Sequence, residues 1–146
     1  MTSEQKRMLF LCTHNSARSQ MAEGLLRELG DGRFEVFSAG TVATKVRPEA
    51  IAVMQELGID ISGQTSKTLD QYLGEPFDEV ITVCDDANNT CPFFPGARSR
   101  RHWSIDDPSG VQGSEEDRLA AFRLARNELR QRIETELLSP RSTASS

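Results

Sequence analysis

Residues Met8 to Gly24 read MLFLCTHNSARSQMAEG, and the fold is decided there. The apolar opening, with Lys6 and Arg7 before it, predicts a short buried strand over Lys6–Leu11 that arrives at Cys12. From Ser19 to Leu29, the residues Met21, Leu25, Leu26 and Leu29 fall on one side of a helix, with Gly30 as its stop. Between strand and helix lies a tight loop of the form C-x5-R-S, Cys12 to Ser19. Such a loop gathers successive backbone N–H groups around a concavity at a helix N-terminus, where the helix dipole also favours an anion.

Thr13, His14, Asn15, Ser16, Ala17, Arg18 and Ser19 are therefore the candidate oxyanion-binding residues. Arg18 supplies a planar, bidentate clamp for two oxygens of a tetrahedral anion. The same positive field is expected to depress the thiol pKa of Cys12 below the ordinary value of about 8.5, making it a nucleophile beside an anion cup. Ser19 is placed to donate a hydrogen bond to that thiolate. The C-x5-R pattern alone also fits a chance strand–helix turn. A Walker A loop is excluded, because no Gly-Lys-Ser/Thr occurs.

Working outward, Phe34–Ser38 alternates as a second strand, and Pro48 opens a helix to Leu57 that Gly58 ends. Leu69–Leu73 is a candidate short helix. Asp78–Val83 predicts a third strand that arrives at Cys84, and the polar, proline-bearing stretch from Asp85 to Gly96 predicts a loop. Arg101–Ser104 predicts a last short strand before Asp106-Asp107-Pro108. A long helix is expected from Ser114, whose spacing to Asp117 resembles a capping box. Its apolar face is Leu119, Phe122, Ala125, Leu129, Ile133 and Leu137. Strands alternating with helices predict an α/β fold, one domain over residues 1–138 with a four-stranded parallel sheet flanked by helices on both faces. The polar tail, 139–146, is expected to be disordered. In such sheets ligands bind beyond the carboxyl ends of the strands, where Cys12, Cys84 and Asp107 would all fall.

Composition narrows the function classes. With 37% hydrophobic and 27% charged residues, the 146-residue chain is that of an ordinary globular domain. No apolar run approaches the length of a membrane span, and no signal-peptide pattern is present, so a cytoplasmic protein is expected. A net charge of −5 argues against a nucleic-acid binder but not against a small anionic substrate. No uncovered apolar face stands out, which favours a monomer. Three cysteines, Cys12, Cys84 and Cys91, do not make a disulfide framework, and buried inert cysteine is the plain alternative for each. A zinc site from Cys84, Cys91 and His102 lacks the usual spacing and a fourth ligand, so no metal is expected.

The loop, together with Asp107-Pro108, resembles the low-molecular-weight protein tyrosine phosphatase fold. More closely, CTHNSARSQMAEG, the SAG at Ser38 to Gly40, DIS at Asp60 to Ser62, VITVCDDANNTCP and HWSIDDP resemble the thioredoxin-coupled arsenate reductases built on that fold. That resemblance implies a relay. Cys12 attacks arsenate, Cys84 attacks the Cys12 sulfur, arsenite leaves, and Cys91 moves the disulfide to Cys84–Cys91, with electrons from reduced thioredoxin and no bound cofactor. Phosphate or sulfate would mimic arsenate in the cup. The six residues between Cys84 and Cys91 include none that is large and apolar. Extended, they would span more than about 20 Å, so the loop must fold or flex to form a disulfide.

The resemblance also implies Asp107 as general acid, which requires a raised pKa, although Asp-Pro is equally ordinary turn chemistry. Asn15 is expected to prop the loop. Some relatives hold potassium there through residues matching Asn15, Glu23 and Ser38 plus an acidic residue. Lys67 stands at that last position, so its ammonium is expected to replace the ion. A tyrosine phosphatase is the main rival reading, since it needs only Cys12, Arg18 and Asp107. It leaves Cys84 and Cys91 without a use, and Ser109-Gly110 stand where an aromatic platform for the substrate ring would be. A reductase coupled to glutaredoxin or mycothiol is a further alternative, as is a non-catalytic arsenic sensor.

Overall fold

The structure is a computed structural model that describes residues 6–12, 17–30, 32–40, 44–72, 74–83, 97–103, 105 and 108–138. Its four strands are β1 (Lys6–Cys12), β2 (Phe34–Gly40), β3 (Glu79–Thr82) and β4 (Arg100–His102). All pairings are parallel, in the order β2-β1-β3-β4. Leaving β1 for β2 and then returning past it to β3 puts the change of direction beside the end of β1, and Cys12 is the last residue there.

Strand alternation divides the core in two. Met8, Phe10 and Cys12 face one side, against α1 (Arg18–Leu29), α2 (Pro48–Gln55) and α3 (Glu115–Arg132). Leu9, Leu11, Ala39 and Val80 face the other, against a short 3-10 helix, Leu69–Tyr72. The helical cover is therefore uneven. Three α-helices pack on one face, and the aromatic group Phe37, Tyr72 and Phe77 fills the other among the described residues. Those rings meet edge-on at 5.5–5.9 Å between centroids, and the Arg7 guanidinium lies 4.9 Å from the centroids of Phe37 and Phe77.

The expected capping box opens α3. The Asp117 amide donates to Ser114 Oγ at 3.1 Å, and the Ser114 amide donates to Asp117 Oδ2 at 3.3 Å. Phe122, Ala125, Leu129 and Ile133 are buried as their spacing predicts. Helix α3 continues into a π-helical turn, Ile133–Leu138, whose Glu136 accepts hydrogen bonds from Arg101 Nη1 at 2.6 Å and Trp103 Nε1 at 2.9 Å. These bonds tie the end of the last helix to edge strand β4.

Helix α1 ends at Leu29 with Gly30 after it, as expected, whereas α2 ends early. Gly30 follows α1 with an ordinary right-handed backbone, φ −74°. A Cβ there would lie 2.5 Å from the Phe34 ring and 2.7 Å from the Leu26 carbonyl oxygen, so lack of space, not a left-handed turn, demands glycine. Helix α2 ends at Gln55, two residues early, and the chain turns through Gly58 at φ 77°. The tail 139–146, Leu73 and Ser104 lie outside the described residues.

Candidate functional site

Cys12 closes β1, is 3% exposed, and sits in register with Gly40 at the end of β2. Arg18 opens α1 and is buried, as are Ala17 and Ser19. The N-terminus of α1 is electrostatically unlike that of α3. Helix α3 begins with the Ser114 cap and the acids Glu115, Glu116 and Asp117, which neutralise its dipole from within. Helix α1 follows the N-cap Ala17, whose side chain cannot cap, and has no acid in its first turn. Its positive end is therefore not offset by an acid in its own first turn, and the cationic Arg18 opens it.

Arg18 is held from behind. Its Nη1 donates to the carbonyl oxygen of Ile105 at 2.8 Å in the protein interior. Ile105, itself buried in the same core cluster as Trp103, thereby fixes one edge of the fork.

On α1, the carboxylate of Glu23 is buried and accepts from Ser38 Oγ at 2.5 Å and from the Arg27 guanidinium. Arg27 also donates to the Val36 carbonyl at 3.1 Å and to Gln64 Oε1 at 3.1 Å. Gln64 in turn donates to Gln20 Oε1 at 2.7 Å, and Gln20 donates to the Thr65 carbonyl at 3.0 Å. The Lys67 ammonium donates to that same carbonyl at 2.6 Å. Burial pushes the pKa of Lys67 down, Glu23 opposes the shift, and Arg27 adds to it. The segment joins the sheet through the Gly40 amide, which donates to the Lys67 carbonyl at 2.8 Å.

Glu23 is thus hydrogen-bonded to Ser38, and Arg27 is a cation hydrogen-bonded to that carboxylate. Arg27 went unmarked in the sequence, although its place four residues after Glu23 on a helix is a recognisable ion-pair spacing. At the other side of the sheet, Thr82 Oγ1 and His102 Nδ1 lie 2.6 Å apart across β3 and β4. The expected residues Thr13, His14, Asn15, Ser16, Cys84, Cys91 and Asp107 lie outside the described residues. Trp103 is core, 1% exposed.

Residues 7–140 match the model of the low molecular weight phosphotyrosine protein phosphatase family. An arsenate reductase of Halalkalibacterium halodurans is 46% identical over 131 residues, covering 90% of this chain and 94% of that one. A solved arsenate reductase in the phosphate binding state superposes with a TM-score of 0.78 at 38% identity, covering 90% of this chain and 95% of that one. An arsenate reductase in the oxidized state gives 0.76 at 36% identity, with the same coverage of each chain.

Proposed function

From its membership of the low molecular weight phosphotyrosine protein phosphatase family, we propose that this chain is an arsenate reductase that drives the reaction with its own three cysteines and is recharged by thioredoxin. The observation that carries this reading is a buried Cys12 as the last residue of β1 and a buried Arg18 opening the acid-free first turn of α1. Arsenate has the shape and charge of phosphate, and a phosphate-bound relative of the same fold supports an oxyanion in this cup.

In the proposed reaction, α1's N-terminal amides and Arg18 bind arsenate while Cys12 attacks arsenic and water departs. Asp107 donates the proton that the leaving oxygen needs. Cys84 then attacks the Cys12 sulfur. The Cys12–arsenic electron pair stays on arsenic, arsenite leaves, and a Cys12–Cys84 disulfide remains. Cys91 attacks Cys84 and frees Cys12, and thioredoxin reduces the Cys84–Cys91 disulfide. The likeness to a relative with an oxidized state supports a redox cycle within the chain.

The protein acts as a cytoplasmic monomer with no resident cofactor or metal. No helix among the described residues is long and apolar enough to cross a membrane. Because Arg27 and Lys67 already supply positive charge to Glu23, no potassium ion is needed there.

The test is NADPH consumption by a mixture of this protein, thioredoxin, thioredoxin reductase and arsenate. Arsenate-dependent oxidation lost in Cys12→Ser, Cys84→Ser and Cys91→Ser supports the relay. The family relationship favours one second reading, a phosphatase with the same cup and nucleophile. Slow hydrolysis of p-nitrophenyl phosphate fits a reductase. Hydrolysis far faster than arsenate turnover would make the phosphatase reading the better one.

A further inference from the structure

Trp103 is the largest of the fully buried side chains among the described residues, and it is held at three points. Its amide donates to the Thr82 carbonyl at 2.8 Å, which continues the pairing of β4 with β3. Its ring lies 6.0 Å, centroid to centroid, from that of Phe10, two positions before Cys12 on β1. Its indole Nε1–H donates to Glu136 Oε1 at 2.9 Å. Glu136 is fixed in turn, by Arg101 Nη1 on the same oxygen at 2.6 Å and by Arg132 Nη1 on the other at 3.0 Å. The turn that carries it, Ile133–Leu138, is π-helical, a geometry often found at functional sites.

Ile105 comes two positions after Trp103, and its carbonyl oxygen accepts from Arg18 Nη1 at 2.8 Å. Two peptide steps keep the Cα atoms of Trp103 and Ile105 within about 7 Å of each other. Both side chains are buried in one core cluster, so freedom gained at Trp103 passes to the Ile105 carbonyl and from there to the guanidinium. Trp103 is 1% exposed and acts without touching an anion itself.

We propose that Trp103, anchored by Glu136, is a positioning residue for Arg18. The inference rests on the oxyanion-binding role proposed above for Arg18 and extends it to the side chains that aim the guanidinium. The indole bonded to a carboxylate fixes Trp103, the chain carries that constraint to Ile105, and the Ile105 carbonyl holds Nη1. A planar guanidinium held at one nitrogen has few orientations left in which to meet two oxygens of a tetrahedral anion. Misplacement of a reacting group by about 1 Å can cost on the order of 100-fold in rate, so partial loosening at this remove is expected to cost about 3- to 10-fold.

The experiment measures kcat/KM of the full chain on two substrates for the same cup. One is arsenate with thioredoxin and thioredoxin reductase, and the other is p-nitrophenyl phosphate alone. Trp103→Phe keeps an aromatic ring against Phe10 and removes the N–H. It is expected to lower both values about 3- to 10-fold, and Glu136→Gln to lower them by less. The deciding comparison is a double-variant cycle. Once Arg18→Lys has removed the guanidinium, adding Trp103→Phe is expected to lower kcat/KM no further. Should Trp103→Phe fail to fold, Glu136→Gln carries the same cycle. Glu56→Gln, which weakens the bonds from Arg123 and Arg126 that join α2 to α3, is the control for general destabilisation and is expected to keep the parent value.

Three results would overturn the assignment and leave the proposed function standing: parent-like kcat/KM in Trp103→Phe, the same drop with and without Arg18→Lys, or an equal drop in Glu56→Gln. Coupling on p-nitrophenyl phosphate in a parent that turns over no arsenate would uphold the assignment and overturn the reductase reading. A parent inert on both substrates would overturn both.

Discussion

Arg18 and Ile105, 87 residues apart in the chain, are joined by a buried hydrogen bond of 2.8 Å from guanidinium Nη1 to the backbone carbonyl. The bond links the start of α1 to the segment that leads, two residues on, to Asp107. In the proposed reaction this arginine would serve both an anion and a backbone carbonyl, which a lysine ammonium cannot do with the same fixed fork.

Arg18→Lys is accordingly expected to lower kcat/KM for arsenate at least about 100-fold, with charge retained. Steady-state titration with arsenate in the thioredoxin-coupled assay measures it. Retention of more than half the activity would show that charge alone suffices.

Glu23 is buried, and Arg27 is its ion-pair partner although half exposed itself. Arg27→Met would leave the carboxylate to Ser38 and Lys67 and is expected to cost about 1–3 kcal/mol, below the range for a fully buried pair because solvent already reaches Arg27. Urea unfolding at pH 7 measures the loss. With Arg27 intact, activity in KCl and NaCl of equal ionic strength is expected to be the same. Selective activation by potassium would mean that the charge of Glu23 is not met from within.

Glu56 accepts a forked pair of bonds from Arg123 at 2.8–3.0 Å and one from Arg126 at 2.9 Å, joining α2 to α3. Hydrogen bonds from Arg123 and then Arg126 lower its pKa from 4.5 to about 2. The folded value lies below the unfolded one, so the contribution is complete above about pH 4.5 and is lost as pH falls toward 2. Glu56→Gln is expected to flatten the pH dependence of thermal unfolding between those values. An unchanged slope in the variant would mean other carboxylates carry it.

Glu136, in the π-helical turn, is partly buried. Burial pushes its pKa up, but bonds from Arg101, Trp103 and Arg132 outweigh that and hold it below the usual value. Glu136→Gln is expected to destabilise the protein by about 1–2 kcal/mol through weakened charge-assisted bonds. Trp103 is the only tryptophan, so its fluorescence reports the change directly. Emission and unfolding midpoint both unaltered would argue that the turn is held by packing alone.

Much of this architecture is legible from the chain itself. The run from Met8 to Leu11 places β1, and Ser114 with Asp117 announces α3, because strand burial and helix capping are local signals. Family likeness, carried by the cysteine loop and HWSIDDP, marks the chemistry. What depends on register is not legible. Thr82 and His102 stand twenty residues apart and meet only because β3 and β4 pair in parallel with that offset. The Ile105 carbonyl is invisible for another reason: a backbone acceptor leaves no mark on residue type. Gly30 is legible as the end of α1 but the crowding that demands it is not, because glycine answers crowding as readily as it answers backbone twist.

Strand β4 is three residues long and consists of Arg100, Arg101 and His102. A sheet edge normally offers a row of unpaired backbone groups on which another chain can template, the first step toward insoluble aggregates. Among the described residues that row is cut to a few positions, with Arg100 exposed on it and Arg101 paired to Glu79 and Glu136. The shortness of β4 thus acts as protection against self-association, and lengthening it with neutral β-formers would be the direct way to make this protein precipitate.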